Sequence, residues 1–379
     1  MPGAHPSLKL LLGIALALAA CTPLSPPTRP DAGTDGGDLS DAGADAGGPD
    51  LDAWPCDGGP CAVETILARR VLPLDVLPLG GFVYWSEFGP DNRGIEGSMN
   101  RLPRGTTCLR DGGCGSMLAP FDLMANNAPQ SLVTDGAAVC WIAYYYDQSR
   151  VYCFDTGTGA ARPISIDDRY PVALAVRGGD LVWARLNAPS TAASGAIVSA
   201  PLDGGSAPQV LVGGRRQVYQ VLPVGPALYW AEQRDGGSMI YSLGAGGTAD
   251  ALSARLGRVT GLAEVDGQLL LVDYDRGEVT LLPLDGGAEQ TVSSGENHPQ
   301  QVRVTAGWAF WANFGSLPDG PDGELRGVRL GSAVAPKTFA SGLPSLAAFT
   351  LENGTAWWAA EGTRGGNYED GVVQRVRVR

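Results

Sequence analysis

His298, followed by Pro299, is the one histidine outside the first twenty residues of the chain, and a loop imidazole can act as a general base because it titrates near neutrality. A lone loop histidine is more often simply solvated, and nothing in the sequence marks a serine and an acid to complete a triad with it. No Gly-x-Ser-x-Gly elbow, His-Glu-x-x-His pair or phosphate-binding glycine loop occurs, so no catalytic residue is assigned. Hard oxygens gather at Asp273, Asp275 and Glu278, and again at Asp319, Asp322 and Glu324. Neither spacing fits a twelve-residue calcium loop. Acidic turn residues are the expected reading, with no metal and no cofactor. Tyr144, Tyr145 and Tyr146 could stack on a sugar ring, although tyrosines also pair across the strands of a hairpin.

The elements that would carry these residues repeat. A glycine, a few apolar residues and then a tryptophan recur as GGFVYW ending at Trp85, GAAVCW at Trp141, GDLVW at Trp183, GPALYW at Trp230, GWAFW at Trp311 and GTAWW at Trp358, with GQLLLV at Val272 filling the fifth place. Successive spacings are 56, 42, 47, 42, 39 and 47 residues. A period of about 40 to 45 residues is that of four-stranded propeller blades, and residues 62–379 divide into seven such units. Within each unit, short alternating apolar runs lie between Gly, Asp and Pro clusters, which reads as half-buried strands joined by tight turns. No window keeps a helical period. The expectation is an all-β, seven-bladed β-propeller of four-stranded antiparallel blades, with each tryptophan wedged between neighbouring sheets as core. The last unit ends one strand short, and the apolar segment 63–70 is expected to complete it and seal the ring.

In such a ring the loops joining second to third strands and the connectors between blades share one face. On that face the candidate ligand-binding residues are Asn127, Tyr144, Tyr145, Arg169, Tyr170, Arg216, Arg258, Asp273, Asn297 and His298. Long, unequal loops on a rigid scaffold suit binding, and they equally suit neutral variation.

The formal charge is −13 and the sequence shows no basic stripe to neutralise phosphates, so no nucleic-acid partner is expected. Residues 22–61 carry eight Asp against one Arg and almost nothing to bury, a composition expected to stay disordered and to act as a tether reaching roughly 35 Å. Seven cysteines occur. With Cys21 set aside, the remaining six fall into local pairs around turns: Cys56 with Cys61, Cys108 with Cys114, and Cys140 with Cys153. An even set in an exported chain reads as disulfides.

Export itself is read from the N-terminus, where Lys9 precedes the run LLLGIALALAA and then Cys21. That run is too short to span a bilayer and has the form of a signal peptide over residues 1–20. Leu18-Ala19-Ala20-Cys21 resembles the lipobox of bacterial lipoproteins, in which the cysteine thiol takes a diacylglycerol; an ordinary secretory signal ending near a Cys is the alternative. By that resemblance Thr22, standing where an Asp would retain the protein at the inner membrane, implies the outer membrane, facing the periplasm or the cell surface. The Tyr-Trp, loop, Leu-Asp-Gly pattern, clearest in LLLVDYDRGEVTLLPLDGG, resembles the YWTD propeller repeat. No unit carries Thr-Asp after its Trp, and YWTD propellers have six blades. A further likeness is to seven-bladed propeller lipoproteins of myxobacteria, in keeping with 25 Arg against 2 Lys.

The expected function is a monomeric, membrane-anchored, non-enzymatic binding or scaffold module for an extracytoplasmic protein or glycan. The alternatives are a propeller lyase or hydrolase acting on an extracellular polymer, using His298, and an outer-membrane assembly scaffold.

Overall fold

The computed structural model describes residues 61–88, 97–109, 115–118, 129–144, 149–186, 195–234, 237–244, 247–253, 256–316, 320–363 and 368–378. These form twenty-eight strands and no helix, arranged as seven four-stranded antiparallel sheets. Six blades take their strands in chain order: Pro73–Met117, Pro129–Asp168, Pro171–Arg215, Val218–Ala251, Val259–Ser294 and Pro299–Leu343. The seventh combines Leu346–Glu352, Thr355–Ala360 and Gly371–Arg377 with the N-terminal strand Glu64–Arg70, which pairs beside Gly371–Arg377 as the outermost member. The two ends of the described chain therefore close one sheet. Gln374 ties that closure internally: its Oε1 accepts the Trp358 indole N–H at 3.1 Å and its Nε2 donates to Thr65 Oγ1 at 3.0 Å.

Blade 4 shows why the repeat folds this way. Val218–Val224 and Ala227–Arg234 alternate around a Gly225-Pro226 turn, Gly225 having φ +53°, where glycine carries no Cβ penalty. The second strand then pairs with Gly237–Leu243, so that Trp230 faces Tyr241. One such sheet cannot hide both of its faces, and each seam between blades accordingly holds its own apolar cluster, with an eighth, smaller cluster of Leu72, Leu74 and Phe88 beside them. Trp85, Trp141, Trp183, Trp230, Trp311 and Trp358 are all below 2 % exposed, and each lies in a cluster shared with the preceding blade. Burying one indole contributes roughly 4 to 6 kcal/mol at about 25 cal/mol per Å2.

Blade 5 corrects the repeat alignment. Trp230 lies opposite Val221 and Trp311 opposite Val302, and the residue with that register is Leu271, opposite Leu262, not Val272. Leu271 packs back onto blade 4, while Val272 packs forward against Trp311. The cause is the turn: Gly267 is its second residue whereas Gly225 is the first of its own, so counting from the glycine misplaces the wedge by one.

The innermost strand of every blade carries an irregularity near its start, a bulge that releases backbone groups from the ladder. Two polar side chains at equivalent places satisfy the next blade. Asp75 Oδ2 accepts the N–H of Leu132 at 2.8 Å, joining blade 1 to 2, and Gln301 Oε1 accepts that of Phe349 at 3.0 Å, joining 6 to 7. Blade 5 places Gly261 there, since a Cβ would lie 2.7 Å from Val272 Cγ2 and 3.1 Å from Gln300 O; its neighbour Thr260 donates to Pro299 O at 2.9 Å instead.

Candidate functional site

The face that carries the connectors between blades is built on one recurring hydrogen bond. The third residue beyond each wedge donates its N–H to the connector residue just before the inner strand of its own blade: Phe88 to Leu72, Leu186 to Tyr170, Gln233 to Gln217, Tyr274 to Arg258, Phe314 to His298 and Glu361 to Ser345, at 2.8 to 3.2 Å. In blade 2 the donor position is Tyr144, and the acceptor position, 128, lies outside the described residues. Leu72, Tyr170, His298 and Ser345 hold left-handed φ values of +48° to +55°, a conformation disfavoured for side-chain-bearing residues and sustained here by that bond.

The two interlocked sets form a rosette whose character changes around the ring. Blades 1 to 3 contribute Leu72, Phe88, Tyr144, Tyr170 and Leu186; blades 4 to 7 contribute mainly Gln217, Gln233, Arg258, His298, Ser345 and Glu361. Aromatic contacts cross the seams within it. Tyr144 tilts against Tyr170 with ring centroids 6.1 Å apart, and Tyr274 stacks on His298 at 4.5 Å and 27°. The Arg258 guanidinium lies 3.9 Å from the Tyr274 ring and 3.3 Å from Asp275. Burial pushes the Tyr274 phenol above its ordinary range, against the pull of Arg258.

His298 is oriented from beneath. Its Nδ1 lies 3.0 Å from Gly315 O, so the tautomer that donates there leaves the lone pair on Nε2. Gly315 belongs to a loop pinned by Asp322, which accepts the Ser316 N–H and Oγ–H at 2.7 Å each and the Asn297 amide at 2.9 Å. These bonds hold the Asp322 carboxyl below its usual range. Blade 7 repeats the device, with Asp370 accepting both the N–H and hydroxyl of Thr363 at 2.7 Å.

Glu361 is the outlier of the rosette. It takes the place that Tyr274 and Phe314 fill in blades 5 and 6, it is 4 % exposed, and its Oε1 has no hydrogen-bond partner among the described residues. Burial alone raises its pKa from 4.5 to about 8, so it is mainly a neutral acid at pH 7.

The structure brings together some sequence-derived candidates and separates others. Arg258 and His298 meet through Tyr274; Tyr144 and Tyr170 meet directly; Asn297 serves the Asp322 pin. Arg169 is exposed on a connector. Arg216 is half-buried and donates its backbone N–H to Glu232 at 3.0 Å. Asp273 is 3 % exposed and accepts the N–H groups of Gly257 and Arg276, which makes it a loop cap. Asn127, Tyr145, Tyr146 and Asp319 lie outside the described residues. Tyr274, Gln233 and Glu361 were missed, although each stands three residues beyond a wedge position. Among the described residues no group of three His, Cys, Asp or Glu side chains is placed to hold a metal.

Cys140 and Cys153, directly opposed on neighbouring strands, form a disulfide that is fully buried in the seam between blades 2 and 3. Cys61 and Cys108 are also disulfide-bonded; Cys56 and Cys114, the partners expected from the sequence, lie outside the described residues.

No family model matches the sequence, and no curated protein matches it. Solved structures do share its fold. A streptogramin B lyase superposes with a TM-score of 0.60 at 10 % identity, over 83 % of this chain and 97 % of that one. A catalytically inactive histidine-to-alanine variant of virginiamycin B lyase from Staphylococcus aureus, with Quinupristin, gives 0.59 at 12 % identity, over 83 % and 99 %. The computationally designed Ika8 protein gives 0.52 at 14 %, over 79 % and 84 %. The chain is thus a seven-bladed β-propeller, similar in fold, though not measurably in sequence family, to streptogramin B lyases.

Proposed function

We propose that this protein is an extracytoplasmic binding module, held to a membrane through lipidated Cys21, whose rosette takes a protein or glycan ligand. The observation that carries the reading is the division of the rosette. Half-buried Tyr144, Tyr170 and Leu186 offer an apolar and aromatic arc, and half-buried Gln217, Gln233, Arg258 and His298 offer a hydrogen-bonding arc. A sugar chain or an extended peptide has both kinds of surface, and a rigid site pays little ordering entropy on contact. The buried Cys140–Cys153 bond agrees with folding in an oxidising compartment.

The test is binding of the purified chain to arrayed bacterial glycans and envelope peptides, repeated with Tyr170→Ala and Arg258→Ala. The expected result is a ligand class whose affinity falls at least tenfold in both variants. A ligand bound equally well by both would place recognition elsewhere and overturn the assignment.

A second reading is favoured by one observation, the His298 ring fixed by Gly315 O and Tyr274 with Nε2 available as a base. On this reading the protein is a lyase or hydrolase in which His298 takes a proton and neutral Glu361 supplies one. Incubation with Quinupristin and with polymeric glycans, followed by mass spectrometry, tests it: turnover that His298→Ala abolishes establishes an enzyme, and turnover that survives His298→Ala removes this histidine from the chemistry.

A further inference from the structure

At three of the seams between blades the wedge tryptophan shares one kind of polar joint, and the tryptophan of blade 4 departs from it. In blades 1, 3 and 6 the wedge indole donates to a carboxylate that an arginine also grips: Trp85 to Glu87 with Arg70, Trp183 to Asp168 with Arg185, and Trp311 to Glu296 with Arg326. In blade 4 Glu232 stands two residues beyond Trp230, as Glu87 does beyond Trp85. Yet Glu232 Oε1 is taken by the Arg216 N–H at 3.0 Å and by Arg234 Nη2 at 2.9 Å, and Oε2 lies 3.6 Å from Arg215 Nη1. Trp230 Nε1, Arg215 Nε and Arg234 Nε are left as buried donors, and Glu232 Oε2 as a buried acceptor, with no hydrogen-bond partner among the described residues.

These groups are close together. The Arg215 and Arg234 guanidinia lie 5.4 and 5.6 Å from the Tyr241 ring centroid, Tyr241 stacks on Trp230 at 5.6 Å, and Arg234 Nη2 donates to Tyr241 Oη at 2.9 Å. Two guanidinia share one fully buried carboxylate, which leaves a net positive charge on a chain whose total is −13. The arginine side chains are 20 % and 32 % exposed, one seam away from Arg258 and two from His298. Unpaired buried N–H groups are costly, and guanidinium forks match planar and tetrahedral oxyanions.

We propose that the seam between blades 3 and 4 is a binding site for one oxyanion, the carboxylate or phosphate group of a ligand, held by Arg215 and Arg234 with the Trp230 indole N–H behind them. An oxyanion balances the excess charge and accepts from donors that Glu232 leaves unserved. The site stands independently of what the rosette binds.

The experiment is a titration of the purified full chain with inorganic phosphate, sulfate and acetate at constant ionic strength, followed by 1H–15N correlation spectra of the tryptophan indoles. Trp230→Phe assigns the relevant resonance by its disappearance. The expected result is a saturable shift of the Trp230 indole with at least one of these anions, with apparent affinity reduced at least tenfold in Arg234→Gln and in Arg215→Gln. Preference for acetate indicates a carboxylate-bearing ligand, and preference for phosphate a phosphorylated one; either supports the site. A Trp230 indole that does not move, or one that moves unsaturably together with the other indoles, overturns it. Should Arg215→Gln fail to fold, the more exposed Arg234→Gln still decides.

Discussion

Trp311 donates its indole N–H to Glu296 Oε2 at 2.8 Å, binding the second strand of blade 6 to the connector that leaves blade 5. The same carboxylate accepts from Asn313 at 2.7 Å and from Arg326 at 2.9 Å while lying 6 % exposed as a residue. A buried acid this well served is a joint between sheets, and losing one donor leaves a charge short of compensation. Trp311→Phe keeps most of the wedge but removes the donor, and is expected to cost about 1 to 3 kcal/mol in urea unfolding. Trp230→Phe, whose N–H has no partner among the described residues, is expected to cost measurably less. Equal losses would show that the indole bonds contribute nothing and that ring size alone matters.

Asp75 tests the inner joint. Its two oxygens accept from Val76 N–H and Leu132 N–H, both at 2.8 Å, which favours the charged form, yet burial outweighs them and raises its pKa to about 6. Asp75→Asn removes the buried charge but points an amide NH2 at one of two N–H donors. The lost acceptor is expected to win, with a loss of about 1 to 3 kcal/mol at pH 7 by chemical unfolding. A more stable Asn variant would mean that desolvation, not the seam bond, governs this position.

Glu361 sets a pH dependence with a definite sign. Its folded pKa of about 8 exceeds the ordinary 4.5, so the folded state holds the proton more tightly than the unfolded one, and stability falls as pH climbs from about 4.5 through about 8. Glu361→Gln does not titrate. Its stability relative to the natural protein is expected to rise across that window, by up to about 5 kcal/mol at pH 9, when unfolding is followed at each pH. A flat difference between pH 4.5 and 9 would show that the carboxyl reaches water.

The Cys140–Cys153 bond is inaccessible in the closed ring, both residues being 0 % exposed. Native protein is expected to keep it under dithiothreitol, with labelling mapped by peptide mass spectrometry to Cys140 and Cys153 appearing only as the fold is lost. Replacing both cysteines by alanine is expected to lower stability by about 2 to 4 kcal/mol, since a short loop is no longer closed in the unfolded chain. Rapid labelling of Cys140 or Cys153 in folded protein would contradict the burial.

How much of this the sequence disclosed depends on the distance over which each feature acts. The tryptophan wedges were legible because Gly turns and alternation are local. The Val272 slot was misread because a two-residue turn can place its glycine first or second, a choice settled by pairing rather than by spacing. Asp273 could be read as an acidic turn residue or as a contact for a ligand, because caps and contacts share residue types, and only the N–H groups of Gly257 and Arg276 make it a loop cap. Glu361 and the Arg215–Glu232–Arg234 group were invisible, since their meaning lies in partners that neighbouring blades supply or withhold.

The strand Glu64–Arg70 has one more consequence. It runs antiparallel to Gly371–Arg377 and ends at the connector to blade 1, so Glu64 emerges at the rim of the opposite side of the disc from His298 and Tyr170. A pull transmitted through the N-terminal segment therefore acts on the back of the ring, off its axis. Were the first sixty residues to moor the molecule to a bilayer, the load would enter from behind the rosette, like a mast fixed to the back of a dish antenna, and the attachment itself would leave that face uncovered.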